Sequence, residues 1–164
     1  MCHGKVFSVK IFGIKEDSIT YVNRPGAYVV FQNDLNQVAF VRTPKGLFLP
    51  GGGNEGDESD HECLRRECRE ELGWDIQIGR KITETGQYFS FPAPQHYYYI
   101  HGTYYHGTSY SKNHIPIEDN LHLEWHLPKE ALPHILPQAQ CWVIESYFYN
   151  DPSPLFDHYD KTQN

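Results

Sequence analysis

Short runs of β-branched and aromatic residues alternate with polar segments that contain glycine, proline or asparagine. Such runs are typical of β-strands separated by turns. They predict strands over residues 6–14, 19–22, 27–31, 37–42, 76–85, 97–105 and 122–127, with 87–91 continuing or pairing with the strand at 76–85. The run at 27–31 is apolar throughout, which predicts a strand buried on both faces. With the turn at 32–36, it also predicts a hairpin with 37–42.

Three segments interrupt this strand pattern. Arg24-Pro25-Gly26 predicts a break before the strand at 27–31, because proline and glycine are the strongest local breakers. Residues 91–94, with the sequence FPAP, predict a rigid loop. Residues 106–120 are polar and rich in loop-forming residues, so they predict a long loop after the aromatic strand at 97–105.

A central helix is predicted directly after an acidic turn. Ser59 and Glu62 have the spacing of a capping box, which places the helix start near Ser59. Leu64, Cys68 and Leu72 recur at helical spacing and should face the core. The glycine at position 73 is a natural helix stop.

Two further helices are predicted near the C-terminus. Pro128 is suited to the first turn of one, and residues 138–149 form the other. Strands on both sides of a central helix, followed by terminal helices, predict an α/β fold with a mixed sheet between helical layers. Residues 1–150 are predicted to form one domain, and the polar residues 151–164 a loose C-terminal tail.

The composition narrows the range of partners. Lys and Arg number 14 against 21 Asp and Glu, which gives a net charge of −7. An acidic surface of this kind disfavours nucleic acid and anionic membranes as partners. The four cysteines form no CxxC pair, and the chain has neither a long apolar run nor a signal-peptide pattern, so we expect reduced thiols and a cytoplasmic location. A monomer and a homodimer are both compatible with the sequence.

The central helix carries three carboxylates, Glu67, Glu70 and Glu71, on one side. Residues three and four apart on a helix are neighbours, so these groups repel one another unless a cation lies among them. Mg²⁺ or Mn²⁺, bound by oxygen ligands, would remove that repulsion. The alternative is a solvated helix face whose acids pair with the arginines at positions 65, 66 and 69.

The segment around this helix resembles the Nudix box, G-x5-E-x7-R-E-U-x-E-E-x-G-U, in which U is a bulky apolar residue. Every fixed position of the pattern is filled, by Gly52, Glu58, Arg66, Glu67, Glu70, Glu71 and Gly73. Cys68 and Trp74 occupy the two apolar positions, where Ile, Leu or Val is more usual. The resemblance to this MutT-like hydrolase family implies an α/β/α sandwich.

The resemblance also implies roles for individual residues. Glu70 and Glu71 match the main metal ligands of the family, and Glu67 matches a further ligand or the catalytic base. The main-chain carbonyl of Gly51 or Gly52 often completes the coordination. Arg66, which matches the arginine of the catalytic motif, is expected to orient the loop and helix through a salt bridge with Glu58.

Many relatives supply another acid from a loop before a tryptophan-bearing strand. Glu118 and Asp119 lie in that loop here and are both candidates for a metal ligand. Glu124, beside Trp125, is expected either to support a residue of the site indirectly or to have a structural role.

The substrate-binding residues are predicted from charge and position. Arg24, Arg42 and Lys45 flank strands that lead towards the box, and arginine suits phosphate through bidentate hydrogen bonds. Phe91 lies downstream of the box, where relatives carry substrate-specific motifs. The tyrosines within 97–105 could stack a base, although alternation along a strand leaves about half of them in the sheet or core. The histidines at 96, 101 and 106 alternate faces along a strand and do not predict a zinc site.

Together with these features, the resemblance implies a hydrolase that cleaves a phosphoanhydride bond in a nucleoside diphosphate linked to another group, with Mg²⁺ or Mn²⁺. Nucleoside triphosphates, ADP-ribose-like compounds and dinucleoside polyphosphates all remain open as the small-molecule substrate. A catalytically silent Nudix-fold regulator that binds a nucleotide derivative is the alternative. A metal-binding scaffold with incidental hydrolysis is a third possibility.

Overall fold

The structure is a computed structural model that describes residues 9–92 and 95–149. Within these residues the strands are β1 (Lys10–Phe12), β2 (Val22–Val30), β3 (Val38–Thr43), β4 (Gly46–Phe48), β5 (Gly51–Gly53), β6 (Trp74–Pro92), β7 (Gln95–Lys112) and β8 (His122–His126). The helices are α1 (Asp60–Leu72), α2 (Pro128–Ala131) and α3 (Gln138–Tyr149), with a short 3-10 turn, Leu132–His134, after α2. The start of the first predicted strand, residues 93 and 94 of the predicted FPAP loop, and the predicted tail at 151–164 lie outside the described residues.

The strands form two sheets. One has the order β1-β6-β7-β2-β5 and the other β4-β3-β8. The larger sheet is mixed, because β1 runs parallel to β6 and β2 parallel to β7, while β6 and β7 are antiparallel. This confirms the mixed sheet that the order of elements predicts.

Alternation along the central strands divides the core into two halves. Ala27 and Val29 face helix α1, whereas Val30 faces the side of helix α3. Residues of β3 divide in the same way, with Val41 towards α1 and Phe40 towards α3. Both predictions, a strand at 27–31 buried on both faces and helices on both sides of the sheets, are therefore confirmed.

Helix α1 begins and ends where the sequence predicts. The Ser59 Oγ accepts a hydrogen bond from the Glu62 N–H at 3.3 Å, and the Glu62 carboxylate accepts one from the Ser59 N–H at 2.8 Å. Such a cap contributes about 1 kcal/mol. At the other end, Gly73 has a φ of +69°, in the left-handed region that favours glycine. Leu64 and Cys68 are fully buried, which confirms the inward-facing stripe.

The predicted break at Arg24-Pro25-Gly26 is wrong, because this segment lies within β2. Strand β2 pairs with β7 along its whole length, whereas its register with β5 begins only at Gly26. The Pro25 carbonyl still accepts a hydrogen bond from the Asn54 N–H at 3.0 Å, so Pro25 lies at the end of the pairing between β2 and β5, where a missing N–H is tolerated.

The prediction of a simple hairpin between 27–31 and 37–42 is wrong. Antiparallel pairing is confined to the turn: a single bridge between Gln32 and Val38, with hydrogen bonds from the Asn33 N–H to the Gln37 carbonyl at 2.9 Å and from the Ala39 N–H to the Phe31 carbonyl at 3.1 Å. Beyond that point β2 pairs within the larger sheet and β3 within the smaller one. The turn thus leads the chain from one sheet to the other.

The predicted loop at 106–120 is also partly wrong, because β7 continues to Lys112. Strand β6 pairs with this polar segment as far as Trp74, opposite Lys112. The ring of Tyr110 stacks on that of Trp74 with centroids 3.9 Å apart. This pairing and stacking hold the polar segment as a strand. Among the described residues, no helix combines the length and apolar character needed to cross a bilayer.

Candidate active site

Residues of both sheets enclose a central cleft of about 230 Å³. Arg24 and the glycines of β5 line one wall, and α1 contributes Glu71. Aromatic side chains form much of the remaining surface: Tyr28, Phe48, Phe89, Phe91 and Tyr104. A concave, mostly apolar cleft with a few polar groups is typical of sites that bind small molecules.

Strand β5 lies close to both α1 and β2, so its glycines leave little room for side chains. A β-carbon on Gly52 would overlap the carboxylate of Glu67, and one on Gly51 would overlap the main chain of Ala27. Gly51 also has a φ of +133°, which other residues rarely adopt. These glycines therefore allow the main chain of β5 to lie against the acidic side of the helix.

Glu71 is enclosed by protein except where it faces the cleft. Its Oε2 accepts a hydrogen bond from the Gly51 N–H at 3.1 Å. Burial raises the pKa of Glu71 well above its ordinary value, and the charges of Glu67, Glu118 and Glu70 raise it further. A carboxylate in this position is strained electrostatically and would gain from a nearby cation.

Glu67 and Glu70 lie at increasing exposure along the same side of α1. The Glu67 side chain is 14% exposed, and burial raises its pKa, although the adjacent Arg66 opposes that shift. The Glu70 side chain is 34% exposed. The sequence predicts these acids at the rim of a cleft. In the structure Glu71 lines the cleft, Glu67 lies against the lining residue Gly52, and Glu70 is not one of the lining residues.

Arg66 is the cation that holds this side of α1 together. Its Nε and Nη2 donate to the two carboxylate oxygens of Glu58 at 2.7 and 3.0 Å, and Nη2 also donates to the Gly53 carbonyl at 3.0 Å. Its Nη1 donates to Glu67 at 2.9 Å and to Glu70 at 3.3 Å. The hydrogen bonds from Arg66 lower the pKa of Glu58 to about 2. The expected salt bridge between Glu58 and Arg66 is therefore present, and it extends to the acids of the site.

The loop after β7 brings one more acid to the site. The N–H groups of Ile117 and Glu118 donate to the Glu70 carbonyl at 2.9 and 3.4 Å, and the His114 N–H donates to the Gly73 carbonyl at 3.0 Å. The charge of Glu118 contributes to the raised pKa of both Glu67 and Glu71. Asp119 is exposed. Of the two candidate loop acids, Glu118 is the one that belongs to the acidic cluster, which we define as Glu67, Glu70, Glu71 and Glu118.

The residues of this cluster fit a hard divalent cation by their chemistry. Across residues 9–92 and 95–149, no group of three or more His, Cys, Asp or Glu side chains is already arranged to hold a metal ion. Arg66 instead provides positive charge between Glu67 and Glu70. The donors are nevertheless carboxylate oxygens beside main-chain carbonyls, which Mg²⁺ and Mn²⁺ prefer. The raised pKa values of Glu67 and Glu71 reflect crowded negative charge, which a cation relieves.

Two of the four residues predicted to bind substrate line the cleft, and a third lies beside one of them. Arg24 lines it, with the guanidinium 5.5 Å from the ring centroid of Tyr98. Phe91 also lines the cleft, and the ammonium of Lys45 lies 5.6 Å from the centroid of the Phe91 ring. These contacts place two cations beside aromatic rings at or next to the cleft, in a chain that is acidic overall.

The prediction that Arg42 binds substrate is not supported, because Arg42 pairs with Glu124 away from the cleft lining. Its Nε and Nη2 donate to the two carboxylate oxygens of Glu124, both at 3.0 Å, and Arg42 is not one of the residues that line the cleft. This bidentate pair joins β3 to β8, where the two residues are on paired strands. Arg42 therefore contributes to the smaller sheet, and Glu124 has the structural role that the sequence predicts.

Sequence reasoning missed a group of buried polar residues in the cleft: Thr85, Gln87 and Gln140. The Thr85 Oγ1 lies 3.2 Å from the Tyr104 hydroxyl oxygen. A signal for Gln140 was present, because it is a polar residue in the otherwise apolar sequence AQCWVI near the start of α3. No comparable signal exists for Gln87, whose strand contains many polar residues.

The fold and the acidic helix beside the cleft define an α/β/α sandwich that is also found in solved structures. The solution structure of the E. coli ORF135 protein has a TM-score of 0.63 and 22% identity, covering 82% of this chain and 96% of that chain. The MutT NUDIX hydrolase from Burkholderia pseudomallei has a TM-score of 0.57 and 20% identity, covering 76% and 97%. The MutT protein from Methanosarcina mazei Go1 has a TM-score of 0.60 and 19% identity, covering 79% and 95%. At these identities the likeness establishes the fold.

The family follows from the sequence. A family model described as the NUDIX domain matches residues 22–145, which is well over half of the chain. The chain therefore belongs to the Nudix hydrolase family, and the resemblance seen in the box is confirmed. Members of this family generally use divalent metal ions and act on small nucleotide derivatives. A search of curated proteins found no match.

Proposed function

We propose that this protein is a metal-dependent pyrophosphohydrolase that cleaves a phosphoanhydride bond in a nucleoside diphosphate linked to another group. One observation carries the proposal: Glu71 lines the same cleft as Arg24 and a set of aromatic side chains, and the charges of Glu67, Glu70 and Glu118 act on it there. Such a cleft offers an acidic end for a metal, a cation for phosphate and apolar walls for a base.

The acidic cluster would hold Mg²⁺ or Mn²⁺, with a main-chain carbonyl of Gly51 or Gly52 as a further ligand. When bound, the metal would polarise the phosphate oxygens and lower the pKa of a water molecule. Phosphoryl transfer depends mainly on positioning and on neutralising charge, so a site of this composition is suited to it.

The side chains of the protein would perform the remaining steps. Glu67, whose pKa is raised by burial, is suited to accept a proton from the attacking water. Arg66 holds Glu67 and Glu70 in place through Nη1. The Arg24 guanidinium would bind a phosphate oxygen. The aromatic walls would exclude bulk water from one side of the substrate.

The direct test is a panel of phosphoanhydride compounds. The purified protein would be incubated with Mg²⁺ and nucleoside triphosphates, ADP-ribose-like compounds or dinucleoside polyphosphates, and the products separated by ion-exchange chromatography. We expect at least one compound to be cleaved at a phosphoanhydride bond, and the cleavage to stop when a chelator is added. Binding without turnover across the panel would instead support the silent regulator.

We expect Mg²⁺ to raise the melting temperature of the protein. A cation that binds only the folded state at 100 times its Kd adds about 2.7 kcal/mol to the free energy of unfolding. For a chain of this length, that corresponds to roughly 5–10 °C. Differential scanning fluorimetry with Mg²⁺, against KCl of equal ionic strength, measures it. An unchanged melting temperature at millimolar Mg²⁺ would mean that the acidic side of α1 is merely solvated.

Replacing Arg24 with methionine is expected to raise the KM about tenfold and to change kcat little. The reason is that a charge-assisted hydrogen bond to a phosphate that does not react contributes equally to the ground state and the transition state. Steady-state kinetics with the substrate found in the panel measures the change. Arg42→Met is the matched control, because Arg42 is paired with Glu124 and should leave the KM unchanged. An equal change in both variants would indicate a general effect of surface charge.

We also propose a cytoplasmic location, which the state of the thiols supports. Cys63, Cys68 and Cys141 are free and buried in the structure. Unpaired thiols of this kind are usual in a reducing compartment.

A further inference from the structure

Two buried glutamines in the cleft have their amide oxygens fixed. Gln87 is 7% exposed and Gln140 2% exposed. The Ala139 N–H donates to the Gln87 Oε1 at 3.0 Å, and the Leu49 N–H donates to the Gln140 Oε1 at 2.7 Å. A main-chain N–H can only donate, so it determines which end of each amide is the oxygen.

The amide nitrogen of each glutamine is then the part of the side chain that is left to bind a ligand. Neither nitrogen makes a hydrogen bond to any residue that the structure describes, and both side chains line the cleft. The Gln87 amide lies beside the start of α3, because its oxygen accepts from the main chain of Ala139, the residue directly before Gln140. The cleft therefore presents two N–H₂ donors, one from the start of α3 and one from β6. Neither nitrogen is among the fully buried side-chain atoms of the described residues that lack a partner, so both donors are open to the cleft, where an acceptor on a ligand can reach them.

We propose that Gln87 and Gln140 select a nucleotide whose base offers two neighbouring hydrogen-bond acceptors. This inference rests on the proposed function, since it assigns the base end of the same cleft. Guanine offers O6 and N7 on one edge, and cytosine offers O2 and N3. Adenine places its N6 amino group, a donor, next to N7, and that donor would face an N–H₂ group. A site built to hydrogen-bond a substrate rejects an analogue that leaves its polar groups unpaired.

The walls of the cleft suit the faces of such a base. Phe48, Phe89 and Ile100 line the cleft together with the two glutamines. Stacking on apolar and aromatic side chains is tolerant of base identity. The walls would therefore contribute affinity for any base, and the glutamines would supply the choice among bases.

The test measures binding and does not require turnover. GMP, CMP and AMP would be titrated into the purified protein by isothermal titration calorimetry. We expect GMP or CMP to bind about tenfold or more tightly than AMP, the size of one good pair of base contacts. Equal binding, a preference for AMP, or no binding by any of the three would overturn the inference. A base preference without hydrolysis would support this inference and count against the proposed hydrolase activity. Hydrolysis without a base preference would support the hydrolase activity and overturn this inference.

The variants Gln140→Glu and Gln87→Glu test the role of the amide nitrogen separately from that of the amide oxygen. Each variant keeps an oxygen to accept the main-chain N–H and removes the N–H₂ donor, so we expect the preference over AMP to fall to about threefold or less. If the new buried charge prevents folding, Gln140→Met and Gln87→Met also remove the donor without adding a charge. Gln138→Glu is the matched control, because Gln138 is in the same turn of α3 but does not line the cleft. A lowered melting temperature with an unchanged ratio of GMP to AMP affinity would show that the glutamines are only structural.

Discussion

Replacement of Glu71 with glutamine is expected to lower kcat about a thousandfold, because the loss of one carboxylate ligand removes several kcal/mol of charge stabilisation. Glutamine can still accept the hydrogen bond from the Gly51 N–H, so the shape of the site should be retained. The measurement is the initial rate on the substrate found in the panel, at saturating Mg²⁺. Glu130→Gln, an exposed change of equal charge on α2, is the control. Loss of activity below tenfold would exclude Glu71 as a metal ligand.

The same variant should be more stable than the wild type when no metal is present. Burial raises the pKa of Glu71, so keeping this side chain ionised costs free energy in the folded state. Glutamine carries no charge and avoids that cost. Activity and stability should thus change in opposite directions, which distinguishes this site from an ordinary structural carboxylate.

The pH dependence of this stabilisation has a definite sign. The folded pKa of Glu71 lies above the ordinary value of 4.5, so between the two the folded state binds more protons than the unfolded state. Stability from this group is complete below about pH 4.5 and is lost as the pH rises through the folded pKa. Urea unfolding in the presence of a chelator should therefore show a larger advantage of the variant at pH 7.5 than at pH 5. An advantage that shrinks with rising pH would contradict the buried, repelled carboxylate.

Replacement of Arg66 with methionine is expected to destabilise the metal-free protein by about 2–3 kcal/mol, between the values for surface and buried ion pairs. The Arg66 side chain is 21% exposed and donates to Glu58, Glu67, Glu70 and the Gly53 carbonyl. Its loss leaves these acids facing one another without a cation. Methionine has a similar helix propensity, so the helix itself should be little affected.

Urea unfolding with and without Mg²⁺ measures this effect. The destabilisation should be smaller with Mg²⁺, because the metal would replace part of the missing positive charge. Arg65→Met is the matched control, since Arg65 is exposed on the same turn and should change stability by less than about 0.5 kcal/mol. Equal destabilisation by both variants would mean that Arg66 acts only as a surface charge.

The features that the sequence predicts well are local in the chain. The cap at Ser59, the stripe of Leu64 and Cys68 and the stop at Gly73 all lie within one helix, and each is present in the structure. The side of the helix that carries the acids follows from the same periodicity. The acidic side of the site is therefore predictable from fifteen or so consecutive residues.

The features that the sequence does not predict depend on distant partners. Strand β7 extends through a polar segment because β6 pairs with it, and β3 leaves β2 because β8 pairs with β3. The pairing of Arg42 with Glu124 spans 82 positions. The fixed amides of Gln87 and Gln140 likewise depend on residues of other elements. Periodicity and local propensity contain no information about such pairings.

The loop that carries Glu118 is attached to α1 through main-chain atoms alone at three points, the N–H groups of His114, Ile117 and Glu118. The side chains of Ile115 and Ile117 are 89% and 75% exposed and take no part in this attachment. The side chains at these two positions can therefore change without moving the acid that the loop delivers, except to proline at position 117, whose N–H is one of the three attachment points. For directed evolution, this loop is a segment in which residues beside the site can be randomised while the position of Glu118 is kept.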